Sequence, residues 1–266
     1  MTYTRKLKIK IMTAHSIFRA LKKVGYVAPI LAASVVGLGA IAPEAQASSL
    51  VPQQEGEVNV GLGNCLGGGC SYLTLDPTIE SIVSLVDDST GTQSRLFVDQ
   101  AGTNNTYGAI QFLSTDIGTS DGSGDFWFRP VAMDANGDTP LVEDGQLEVG
   151  TFEFTFSKVL SDLTVNWFDT ERAGGTSYTA FDSNGDEIAS GTIATGPNGT
   201  VQETTLTGVK SIVLNLGERH GSTGDGVNFQ VDGVAVPEPG LMMGLGAFVV
   251  AGGLGLRKRQ GDSTAA

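Results

Sequence analysis

The chain has 266 residues, with 16 Lys and Arg against 29 Asp and Glu, a formal net charge of −13, two His, two Cys and 37 Gly. That balance argues against nucleic acid as a partner, because phosphates are held by clustered Lys and Arg. No G-x-S-x-G, Walker or dinucleotide fingerprint occurs, and a Ser-His-Asp or Cys-His enzyme would have to rely on His220 in the polar loop GERHGSTGDG, so no catalytic residue is expected.

Seven basic residues and no acid occupy the first 23 positions, ahead of an apolar run from Tyr26 to Ala42 and then Pro43-Glu44-Ala45-Gln46-Ala47. Ala45 and Ala47 suit the shallow pockets of signal peptidase, so residues 1–47 read as a signal peptide cut after Ala47. Met1 and Met12 are alternative starts, since a sufficient basic stretch remains after Met12. The first cysteine, Cys65, lies well past the apolar run, so no lipid-anchored start is expected.

The stretch 48–236 then holds 26 acidic residues against 6 basic ones, a net −20, with 27 glycines. Its 189 residues suffice for one domain with a core of its own. Apolar and polar residues alternate without a long stretch at helical spacing. Strands are predicted at Ser81–Val86, Ser94–Val98, Thr106–Leu113, Asp125–Met133, Gln146–Phe156 and Leu163–Phe168. Others follow at Ser177–Phe181, Glu187–Ile193, Val201–Leu206, Ser211–Leu216 and Val227–Val236. In Thr151–Phe156 the period is 2, which puts Phe152, Phe154 and Phe156 on one face and Glu153 and Thr155 on the other. Strands of this length between Gly/Asn/Asp turns predict an all-β fold, an antiparallel jelly-roll-like β-sandwich. The clearest hairpin is Thr176–Ile193, turning at Ser183-Asn184-Gly185.

Within this body, Cys65 and Cys70 bracket Leu-Gly-Gly-Gly. In an exported protein such a pair reads first as a small-loop disulfide; as a metal site it is two ligands short. Asp134-Ala-Asn136-Gly-Asp138 and Asp182-Ser-Asn184-Gly-Asp186 share the pattern D-x-N-G-D, and Asp121-Gly-Ser123-Gly-Asp125 comes near it. Alternating oxygen side chains in a Gly-permitted turn can converge on Ca²⁺, or they can bond their own backbone as a plain β-turn. Neither loop carries the Glu that would complete an EF-hand, because positions 145 and 193 are Gly145 and Ile193. Trp167, Asp169 and Glu171 alternate, and could set an aromatic plate and two carboxylates toward a sugar. Against that stands the ordinary use of Trp as a core residue.

At the other end Val236-Pro237-Glu238-Pro239 precedes the seventeen-residue apolar segment Gly240–Leu256 and then Arg257-Lys258-Arg259. Seventeen helical residues reach about 25 Å, just short of a hydrocarbon core, and the cations behind them fit a cytoplasmic end. A single apolar helix over this stretch is therefore expected, flanking the domain opposite the signal peptide.

Pro-Glu-Pro, a short apolar helix and a basic end, in that order within residues 236–260, resemble the PEP-CTERM sorting signal of bacterial surface proteins. The resemblance implies that Pro237, Glu238 and Pro239 are recognised by an exosortase, a membrane transpeptidase-like enzyme that removes the tail of residues 237–266. Gln146–Phe156 and Trp167-Phe168-Asp169 further resemble a cyanobacterial subgroup named for a Leu-Glu-Val-Gly motif, here Leu147 to Gly150. Neither resemblance implies a catalytic residue in this chain.

The expectation is thus an exported cell-surface or extracellular-matrix protein without activity of its own. Signal peptidase and an exosortase would be its partners during export, with a transient membrane tether before processing. The alternative is a Ca²⁺-dependent module that holds exopolysaccharide.

Overall fold

The computed structural model describes residues 47–67, 69–114, 125–141, 147–168, 170, 175–197, 200–219 and 227–235. Of two compact units, Met1–Pro43 and Glu44–Ala266, all described residues belong to the second. The signal segment up to Ala45, Asp121, Ser123, Asp169, Glu171, His220 and everything from Val236 onward, including Pro237 to Pro239 and Arg257 to Arg259, lie outside the described residues.

Among the described residues thirteen strands form, the longer ones where apolar residues alternate between Gly and Asx turns. They are β1 (Ser48–Ser49), β2 (Gly56–Val58), β3 (Ile79–Leu85), β4 (Ser94–Gln100), β5 (Asn105–Tyr107), β6 (Ile110–Phe112) and β7 (Phe126–Ala132). Then follow β8 (Gly150–Phe168), β9 (Ser177–Phe181), β10 (Glu187–Thr192), β11 (Gln202–Leu206), β12 (Val209–Leu216) and β13 (Asn228–Ala235). The described part is all-β, dominated by one large antiparallel sheet. Among the described residues no helix is long and apolar enough to cross a membrane.

The sheet runs in the order β10-β9-β12-β8-β13-β7-β4-β2, with β3 and β11 added on β8 and β1 on β13. Its organiser is β8, whose nineteen residues replace the two separate strands predicted at Gln146–Phe156 and Leu163–Phe168. Nothing between them breaks a strand, since Ser157–Asp162 contains neither Gly nor Pro. Alternation lapses there because the strand slips by one residue. Phe152, Phe154 and Phe156 are buried at even positions, Ser157 and Lys158 are both exposed, and Leu163, Val165 and Trp167 are buried at odd ones. The pairings with β12 and β13 shift register in the same place, as a β-bulge requires. The first half of β8 pairs with β12 and β3, the second with β11 and β13. Aromatic rings join the halves: Phe154 lies 5.6 Å from Phe128 of β7 and 5.8 Å from Phe229 of β13, between ring centroids.

The strand predicted at Thr106–Leu113 is instead the hairpin β5–β6, because Gly108 turns with φ of 60°. This hairpin covers the outer side of β4 and β7, where Phe97, Ile110, Phe112, Val131 and Met133 make a second buried cluster. β4 is therefore buried on both faces, with Leu96 and Val98 turned to the main core. Strands β1 and β2, too short to carry an alternation, have no counterpart among the predicted elements.

Candidate functional site

Charged residues inside β2 and β4 position a cleft at the surface. Arg95 follows Ser94 in β4, on the face opposite Leu96, and Glu57 of β2 sits diagonally across the ladder. The two form an ion pair with both side chains almost wholly buried. Removing two such charges from water costs several kcal/mol per ion unless further hydrogen bonds compensate. Here the backbone supplies them. Arg95 Nε donates to Gly137 O at 3.0 Å, Arg95 Nη1 donates to Asn64 O at 3.1 Å, and Leu66 N donates to Glu57 Oε2 at 2.6 Å. One buried pair thus fastens the loop carrying Cys65 and Cys70 to the turn carrying Asp134, Asn136 and Asp138.

Between these loops lies a cleft of about 630 Å³, lined by residues 61–67, 91–93 and 134–138 together with Val86 and Arg95. Cys65 and Cys70 are joined by a disulfide, with Cα atoms 6.2 Å apart. Tyr72 braces the same loop by donating its hydroxyl to Gly63 O at 2.7 Å. Burial, and then the Glu57 carboxylate, push that hydroxyl's pKa up.

Both D-x-N-G-D segments are Asx turns. Asp134 Oδ1 accepts from the backbone N–H of Asn136 (3.2 Å), Asp138 (3.2 Å) and Thr139 (3.3 Å), with Gly137 at φ of 74°. Asp182 Oδ1 accepts from Asn184 N (2.8 Å) and Asp186 N (3.0 Å), with Gly185 at φ of 82°. Desolvation is the largest single influence on Asp134 and raises its pKa. The N–H groups of Thr139, Asp138, Asn136 and Gly137 together outweigh it and hold the carboxyl below its usual value. For Asp182 the N–H of Asp186 and then of Asn184 lower it outright. One carboxylate oxygen in each turn is thereby committed to backbone. Asn136 and Asp138 remain exposed beside the cleft, whereas Asp182, Asn184 and Asp186 cap the β9–β10 hairpin. Among the described residues no three His, Cys, Asp or Glu are grouped so as to hold a metal ion.

Trp167 is fully buried, donates Nε1–H to Thr204 Oγ1 at 3.0 Å and stacks on Tyr178 at 6.5 Å. It offers no ring face to a sugar, and that part of the Trp167, Asp169 and Glu171 expectation is corrected. The alternation that suggested an exposed plate belongs to the core face of β8.

The Leu147 to Gly150 segment also has a structural explanation. Leu147 and Val149 are buried with Ala132, and Val149 O accepts from Ser94 Oγ at 2.6 Å. Gly150 leaves no room for a side chain, since a Cβ there would lie 2.7 Å from both Ser94 Cβ and Phe152 Cε2. Glu148 is buried, accepts from Arg129 Nη2 at 2.5 Å and from Asn228 Nδ2 at 2.9 Å, and so ties the entry of β8 to β7 and β13. Arg129 Nη1 also donates to Asp99 Oδ2 at 2.8 Å, and its guanidinium lies 4.2 Å from the Phe112 ring centroid. Burial raises the Asp99 pKa while Arg129 pulls it back, and its Oδ1 is buried without a hydrogen-bond partner. Nearby Tyr107 is pushed up to about 12, by burial first and then by Glu55, Asp99 and Glu57.

Glu57, Arg95, Asp99 and Arg129 were absent from the residues singled out in sequence, and Glu148 entered only as part of the Leu147 to Gly150 motif. The available signal was an arginine standing inside an otherwise apolar strand, in SRLFVDQ and FWFRPVA, within a body that has only six basic residues.

No protein-family model matches this chain, and no curated protein matches it. Among solved structures, the enzymatically active domain of tailspike protein 4 from bacteriophage CBA120 is similar at 14% identity with a TM-score of 0.21. That similarity covers 52% of this chain and 18% of the tailspike chain.

Proposed function

We propose that the chain is an exported cell-surface or matrix protein with no catalytic activity of its own. It is delivered by a signal peptide, tethered through Gly240–Leu256 and released or attached by cutting near Pro237–Pro239. The observation that carries this reading is the end of β13 at Ala235, two residues before Pro237. The described fold thus runs up to the motif, and the motif, the apolar segment and the cations follow in sorting order. The body is a jelly-roll-like sandwich in this reading, with the halves of β8 facing each other. The contacts of Phe154 with Phe128 and Phe229 support it. So does the commitment of Arg95, Arg129, Glu57 and Glu148 to ion pairs, which suits framework rather than reactive groups. The test is intact mass spectrometry of the native protein beside a Glu238→Ala variant. An unprocessed, membrane-retained form is expected from the variant, and an unchanged mature mass overturns the reading.

A second reading, a Ca²⁺-dependent module for exopolysaccharide, is favoured by one observation: the Asp134–Asp138 turn forms a wall of the 630 Å³ cleft, with Asn136 and Asp138 exposed to it. Ca²⁺ takes six to eight oxygens, so the turn would need oxygens from the facing loop or from the polymer itself. Calcium titration followed by thermal shift, with Asp138→Ala as control and a polysaccharide pull-down in parallel, decides it. A shift abolished by the substitution together with retention on polymer supports it; neither effect removes it.

A further inference from the structure

The pattern D-x-N-G-D sets an asparagine before a glycine in two turns, Asn136-Gly137 in the wall of the cleft and Asn184-Gly185 at the tip of the β9–β10 hairpin. An Asn-Gly step is chemically weak in water. The glycine's backbone nitrogen, once deprotonated by hydroxide or a buffer base, attacks the asparagine's side-chain carbonyl. A C–N bond forms, the side-chain amide leaves as ammonia, and a five-membered imide remains. Water then opens the imide at one carbonyl or the other, giving Asp or its β-linked isomer, isoaspartate. Glycine favours the attack because it has no side chain to obstruct it. In a folded chain the glycine N–H must also meet base, leave its hydrogen bond and swing toward the asparagine side chain.

The two turns have the same backbone but different surroundings. Gly137 N donates to Asp134 O at 2.9 Å and Gly185 N to Asp182 O at 3.2 Å. At the cleft, Gly137 is half-buried and its carbonyl accepts from Arg95 Nε at 3.0 Å. That guanidinium is itself fixed, by the buried pair with Glu57 and by Asn64 O. Gly137 therefore cannot shift toward the Asn136 side chain without breaking a hydrogen bond from a buried cation, one of the stronger kinds. At the hairpin tip, residues 183–186 are all exposed. Asn184 is restrained there by donating Nδ2–H to Asp182 Oδ2 at 3.1 Å, a bond open to water and of small net worth.

We infer that Asn184 is a site of spontaneous conversion to Asp and isoaspartate in the folded protein, and that Arg95 protects Asn136 from the same reaction. Conversion at Asn184 places a third carboxylate between Asp182 and Asp186, and the isomer adds a backbone atom to the turn, so the hairpin tip loosens with age. At Asn136 the amide persists. The buried pair of Glu57 and Arg95 thus preserves the covalent make-up of the cleft as well as joining its two walls.

The experiment incubates the protein isolated from its host in mildly alkaline buffer, once folded and once unfolded in guanidinium chloride, and follows both asparagines by peptide mass mapping. In the folded protein Asn184 is expected to convert at least about tenfold faster than Asn136, the factor set by one charge-assisted hydrogen bond that must break first. In the unfolded chain the two rates converge, because the flanking sequences nearly match. Arg95→Lys keeps the cation and removes the Nε donor, so conversion at Asn136 is expected to rise while that at Asn184 stays unchanged. Equal conversion in the folded protein, faster conversion at Asn136, or a ratio that survives unfolding overturns the inference. So does conversion of Asn184 to Asp alone, since the imide route yields isoaspartate as well.

Discussion

At the scale of single residues, buried charge does structural work here. Glu148 neutralises Arg129 and accepts from Asn228 Nδ2, so Glu148→Ala leaves a buried cation paired to Asp99 and a buried amide nitrogen without this acceptor. A loss of about 3–5 kcal/mol in urea unfolding is expected, and a smaller loss for Glu148→Gln, whose amide oxygen can still accept. The acidic limb of stability carries two opposite signs. Asp182 has a depressed folded pKa, so its contribution is present above the usual carboxylate value and is lost as pH falls through the folded one. Asp99 has a raised folded pKa, so stability is regained as pH falls through it. Asp182→Ala is therefore expected to flatten the decline of stability below pH 5 and Asp99→Asn to steepen it, as read by denaturant midpoints across pH. The two Asx turns were legible in sequence because their chemistry is local, a carboxylate bonding to backbone two to five residues on. The Glu57–Arg95 pair was not, since it joins positions 38 apart through a strand register that no local pattern encodes.

At the scale of elements, β8 carries the fold. Its even-to-odd slip near Ser157–Asp162 lets one strand serve two sets of partners while keeping its apolar side on the core. Deleting Lys158, which is exposed, brings Leu163, Val165 and Trp167 into the parity of Phe152, Phe154 and Phe156, so the strand can run on without its bulge, but it removes the register shift that the pairings with β12 and β13 require. Loss of cooperative unfolding and of near-ultraviolet aromatic signal is expected. Lys158→Ala, which keeps the count, should cost less than about 0.5 kcal/mol. A fold that depended only on exposure would respond alike to both. The alternation of Thr151–Phe156 was readable because a period of 2 survives six residues. The continuity of β8 was hidden because a bulge breaks the period without breaking the strand. The opposite happened at Thr106–Leu113, where apolar residues kept coming while Gly108 reversed the chain.

At the scale of the whole molecule, charge dominates the residues between the ends. The stretch 48–236 carries a net −20, and self-repulsion at that density opposes compaction. Shortening the Debye length from about 10 Å at 0.1 M salt to about 3 Å at 1 M should raise Tm. Each kcal/mol of relieved repulsion corresponds to about 2–4 °C for a domain of this size. Scanning calorimetry in sodium chloride reads this directly, and a Tm that falls with salt would mean that ion pairs outweigh repulsion. The reading of both ends as address segments rests on charge and hydropathy blocks in the sequence, which lie outside the described residues. The pairing of β1 with β13 was not legible, because two residues carry no alternation.

The pairing of β1 with β13 makes the stretch from Ser48 to Ala235 almost a ring. Ser48 and Gly233 face each other across one ladder rung, so a few Gly and Ser residues can close the backbone, and new termini can open elsewhere at a surface turn. The exposed tip at Asn184-Gly185 is the natural place, because its hairpin is held by register on both sides. A permutant of residues 48–235 beginning at Gly185 should fold to the same sheet with the cleft unchanged, its termini moved from the β1–β13 rung to a hairpin tip.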